Sequence, residues 1–91
     1  MKYSWATSTH PGLVRSSNEF SVFPDSYGSA EGPVLFAVAY GMGGHAAGEV
    51  ASHIAIETVS TEEGPLGERV EEANRSVMEA AENRTDQHGM G

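Results

Sequence analysis

His45, Glu49 and His53 stand four positions apart, a spacing that sets all three on one face of a helix. Imidazole and carboxylate together are a ligand set for Zn²⁺ or Ni²⁺. The span works against one ion held by all three, because eight residues cover about 12 Å of helix at 1.5 Å each. A pair such as His45 with Glu49 is the feasible part of this set. His45 also fits a structural hydrogen bond near a helix start, since no nucleophile stands beside it to be activated. Just ahead of it, Gly41, Gly43 and Gly44 interrupt an apolar run, and glycines permit a tight turn with positive φ without any ligand.

Such residues have to be carried by strands and helices, and the pattern predicts three of the former followed by two of the latter. Residues 3–9 alternate large and small side chains rich in strand formers, and residues 19–23 read as a second short strand with Phe20 and Val22 on one face. Residues 24–33 are turn chemistry throughout. The unbroken apolar run 34–39 predicts a central strand covered on both faces. A helix is expected over 46–60, with Ala47, Val50, Ala51, Ile54, Ala55 and Thr58 on its packed stripe and Ser52, His53 and Glu57 opposite. After Gly64-Pro65 a second helix is expected over 66–83, its stripe running through Leu66, Val70, Ala73, Val77 and Ala80 with Glu71 and Arg75 paired at i,i+4. The polar tail beyond it should fray.

Ninety-one residues make at most one domain with a modest core. A formal charge of −8 with only five Lys plus Arg argues against binding nucleic acid or anionic membrane surfaces. Much of the acid, from Glu62-Glu63 to Glu82, reads as a solvated helix face. There are no cysteines, hence no disulfides or thiolate metal sites, and no apolar run approaches bilayer length. A cytoplasmic setting is expected.

Tyr40-Gly41-Met42-Gly43-Gly44-His45, leaving a strand and entering a helix, resembles the Asp-Gly-Met-Gly-Gly-His loop of the metal-dependent serine/threonine protein phosphatases of type 2C, the PPM family, in its bacterial form. Arg15-Ser16-Ser17-Asn18-Glu19-Phe20-Ser21 is similar to the family's first motif, an arginine followed by Asn-Glu-Asp-Ser. Glu72-Ala73-Asn74-Arg75 and Gly89-Met90-Gly91 resemble the family's second helix and the opening of its Gly-Met-Gly-Thr-Thr strand. Four matches in order carry more weight than a glycine loop alone. The resemblance implies an α+β fold, the N-terminal part of an α-β-β-α sandwich, and phosphomonoester hydrolysis at paired Mg²⁺ or Mn²⁺ ions. It further implies Arg15 as the phosphate-binding residue, Glu19 as holder of metal-bound water, Gly41 as a backbone-carbonyl metal ligand, and phosphoserine or phosphothreonine proteins as partners.

Two positions depart from the family pattern. Phe20 and Tyr40 stand where it has aspartates, and neither a phenyl ring nor a phenol is a carboxylate. The family's remaining metal aspartates belong to a later part of the domain, beyond these 91 residues. The expectation is therefore a chain of phosphatase descent without activity as it stands. The alternative is a pseudophosphatase module that binds a phosphoprotein or other partner near Arg15. An incomplete sheet also predicts self-association through its exposed edge or face.

Overall fold

The computed structural model describes residues 1–10, 12–13, 18–43 and 47–83. Its elements run β1 (Lys2–Trp5), β2 (Phe20–Phe23), β3 (Gly28–Glu31), β4 (Ala37–Tyr40), α1 (Ala47–Thr61) and α2 (Leu66–Asn83). They form two antiparallel pairs, β1 with β3 and β2 with β4. The α+β architecture holds, with four strands among the described residues rather than three. The helix bounds fall where the apolar periods predict them, α2 over 66–83 and α1 one residue later than 46–60.

The added strand, β3, lies within the segment whose composition predicts only turns. Gly-Ser-Ala-Glu has little intrinsic strand preference. Its partner supplies the reason: Trp5 faces Gly28 and Tyr3 faces Ala30 in the register. A Cβ on Gly28 would meet Trp5 Cζ2 at 2.8 Å, and one on Gly32 would meet Tyr3 Cε2 at 2.3 Å. Large rings thus lie across bare backbone, the covering that aromatic side chains give to strand glycines. The Trp5 indole N–H donates to the Ser26 carbonyl at 3.0 Å, and its ring meets Phe36 edge-on at 6.0 Å. The first strand is shorter than the predicted 3–9 because this pairing ends at Trp5.

The strand predicted over 34–39 lies instead at Ala37–Tyr40, while Pro33, Val34 and Phe36 gather beside Tyr3. Nor is it covered on both faces. Ala37 and Ala39 are partly buried, whereas Val38 is 72% exposed and Tyr40 54% exposed. The covered face is set by α1. Ser21, opposite Ala39, shares a 2.8 Å hydrogen bond with Ser52 Oγ.

That contact corrects the orientation of α1. Ser52, expected on the outer side, is 1% exposed and lies on the packed face with Ala47, Gly48 and Ala51. Small side chains let the helix settle close to the sheet, and the buried hydroxyl is satisfied by Ser21 and the Glu49 carbonyl. α2 lies against α1 and buries Ala73, while Leu66 and Val70 at its start are exposed. Arg69 ties the two together, donating to the Gly64 carbonyl at 2.9 Å and the Val59 carbonyl at 3.4 Å. The turn between them uses Gly64 at φ 105°. Arg75 pairs with Glu72 at i,i+3 rather than with Glu71.

Candidate functional site

The two motif segments, far apart in sequence, meet at one end of the β2–β4 ladder. Phe20 lies opposite Tyr40, and the Gly41 N–H donates to the Glu19 carbonyl at 2.9 Å. This bond runs between the residues flanking the Phe20/Tyr40 pair, so the pair occupies a non-hydrogen-bonded site, where side chains of antiparallel strands come closest. Their ring centroids are 4.8 Å apart with planes tilted by 42°. Asn18 opens β2: its Oδ1 accepts from the Phe20 N–H at 3.0 Å, and its amide donates to Thr9 Oγ1 at 2.9 Å. This is the local turn that short amide side chains favour.

Gly41 and Gly48 join strand to helix. A Cβ on Gly41 would sit 1.9 Å from the Gly48 carbonyl oxygen, and one on Gly48 would lie 2.6 Å from the Gly41 carbonyl oxygen. Backbone therefore packs directly on backbone, which only glycine allows. Glu19 belongs to the same junction, its Oε2 lying 2.6 Å from where a Gly48 Cβ would be. A carboxylate beside the first turn of a helix is favoured by the amide dipoles there.

Of the residues singled out in the sequence, Glu19, Phe20, Tyr40 and Gly41 thus come together. Arg15, Gly44 and His45 lie outside the described residues, as do positions 89–91. Glu49 is exposed at the start of α1 and His53 faces Glu57 at 3.7 Å, one turn along. Among the described residues no group of three or more His, Cys, Asp or Glu could hold a metal ion. Among them no helix is long and apolar enough to cross a membrane. An open groove of about 490 Å³ between β2 and α1 is lined in part by Val22, Asp25, His53, Ile56 and Glu57. Nothing in the sequence pattern joins Asp25 to His53, because only the packing of α1 on β2 brings both to the lining of one groove.

The strand pair joined end-on to a helix by a glycine junction, with Glu19 beside Gly41, agrees with the resemblance to the type 2C phosphatases carried by these motifs. No family model matches the chain. Comparison with individual proteins identifies its kin. The chain is 36% identical, over 96 residues, to the serine/threonine protein phosphatase PstP of Mycobacterium tuberculosis, in both strain CDC 1551 / Oshkosh and strain ATCC 25618 / H37Rv. The match covers 96% of this chain and 17% of PstP. Two crystal structures of PstP superpose on the whole chain at 35% identity. One has a TM-score of 0.62 over 37% of the PstP chain. The other, the catalytic domain in complex with 2 manganese ions, has a TM-score of 0.63 over 38%. The chain is thus a homologue of PstP, a serine/threonine protein phosphatase of the type 2C kind, and matches part of its catalytic domain.

Proposed function

We propose that this chain is a type 2C phosphatase-like portion that does not assemble a two-metal centre by itself and so does not hydrolyse phosphomonoesters. The observation that carries this reading is the Phe20/Tyr40 contact, which fills with two rings the place where the family resemblance puts two carboxylates. Two divalent ions bring four positive charges and need hard oxygen donors. Glu19 and the Gly41 carbonyl are the family-equivalent donors that remain, and they supply one negative charge. That set does not fit the pair of ions found in PstP.

By likeness to PstP, phosphorylated serine/threonine proteins are the molecules such a site would meet, with Arg15 holding the phosphoryl group through its fork of N–H donors. A cytoplasmic setting agrees with the cysteine-free composition. The exposure of Phe20, Val38 and Tyr40 supports self-association in isolation. The deciding experiment is a phosphomonoesterase assay with Mn²⁺ on the purified chain. Background-level hydrolysis is expected, and it should persist after Phe20→Asp and Tyr40→Asp are introduced together. Robust Mn²⁺-stimulated turnover by the unmodified chain, with contaminating phosphatase excluded, overturns the reading.

A further inference from the structure

We infer that the Phe20/Tyr40 ring contact closes this end of the β2–β4 ladder in place of a cation, so that the fold here is uncoupled from divalent metal. The inference rests on the proposal that no two-metal centre assembles, and it goes further by giving the substituted residues a positive role. The pair is the last facing pair of β2 and β4, set between Ser21 and Ala39 on one side and the Gly41 N–H to Glu19 carbonyl bond on the other. Because it is a non-hydrogen-bonded rung, no backbone bond joins Phe20 to Tyr40 directly, and the contact of their side chains adds to the Gly41–Glu19 backbone bond beside it. Acidic side chains opposite one another here would repel at the closest spacing a sheet offers, and a cation would be needed between them. Two rings at 4.8 Å attract without one. Both are about half exposed, so the contact is a surface clasp rather than part of a core.

The test reads stability and amide exchange rather than turnover. In the unmodified protein, the thermal midpoint and the exchange rates of the Ser21 and Ala39 amides should be the same in chelator and in millimolar Mn²⁺. Tyr40→Phe, which keeps the ring, should hold the midpoint. In a cycle of Phe20→Ala, Tyr40→Ala and the double variant, the coupling should be roughly two- to tenfold in the folded-to-unfolded ratio. A midpoint that rises with Mn²⁺, exchange at Ser21 or Ala39 that slows with it, or zero coupling in the cycle overturns the inference. Should the alanine variants not fold, the manganese comparison on the unmodified protein decides alone. Mn²⁺-dependent stability without turnover would defeat only this inference, whereas turnover would defeat the functional reading beneath it.

Discussion

Gly41→Ala should strongly destabilise the layer made by β2, β4 and α1. The new methyl would sit 1.9 Å from the Gly48 carbonyl oxygen and 2.9 Å from the Ser52 nitrogen. The shortest comfortable carbon-to-oxygen approach is about 3.3 Å, so α1 must retreat by roughly 1.4 Å, and backbone atoms cannot rotate out of the way. Overpacking of this kind costs about 1–3 kcal/mol. The retreat also strains the 2.8 Å Ser21/Ser52 bond, worth about another 1 kcal/mol. A total near 3 kcal/mol is large for a domain of this size, whose whole stability at roughly 0.05–0.15 kcal/mol per residue is about 5–14 kcal/mol. The low end applies, because the buried apolar side chains among the described residues are the alanines Ala47, Ala51 and Ala73. At about 4–8 °C per kcal/mol the midpoint should drop by at least about 12 °C in a melt followed by far-ultraviolet circular dichroism. Gly67→Ala is the control: nothing lies within 4 Å of its added methyl in α2, so it should stabilise by about 0.5–1 kcal/mol. A Gly41→Ala protein melting within a few degrees of the parent would refute the backbone junction.

Removing one hydroxyl from the Ser21/Ser52 pair should cost about 1–3 kcal/mol in urea unfolding, and removing both should cost less than the two singles summed; strict additivity would show that the buried contact does not matter. Arg69→Met should lower stability by about 1 kcal/mol by freeing the Gly64 and Val59 carbonyls, and an unchanged urea midpoint would mean that water replaces the guanidinium at no loss. Val38→Lys should leave stability within about 0.5 kcal/mol, since the side chain is already mostly in solvent, while reducing self-association in sedimentation velocity. A parent chain that is monomeric at every concentration tested would remove the basis for that expectation.

What was legible in the sequence was the part governed by period and by motif. The bounds of α2 over 66–83 follow from a 3.6-residue apolar period, whose later members Ala73, Val77 and Ala80 are buried or partly buried while Leu66 and Val70 at its start are exposed. The meeting of Glu19 with Gly41 was legible only through the family resemblance, since nothing local links positions 19 and 41. Other features depend on partners that a linear reading cannot pair. Gly28–Glu31 is a strand because Trp5 lies over Gly28 and Tyr3 over Gly32 just beyond it, and Ser52 points inward because Ser21 waits there to share its hydroxyl. The run 34–39 misled for a related reason. Unbroken hydrophobicity signals burial on both faces only when both faces have a partner, and Val38 has none among the described elements.

Trp5 is the single tryptophan, and it sits in the β1–β3 pair, which does not pack substantially against either helix or the other sheet. Its surroundings are Gly28, the Ser26 carbonyl and the edge of Phe36. Indole emission therefore reports on the small sheet, while circular dichroism near 222 nm reports on α1 and α2. Regions joined by so few contacts open with different free energies. The two signals should not trace one curve: fluorescence should change at lower denaturant than ellipticity, and a two-state fit to either alone would describe half a molecule.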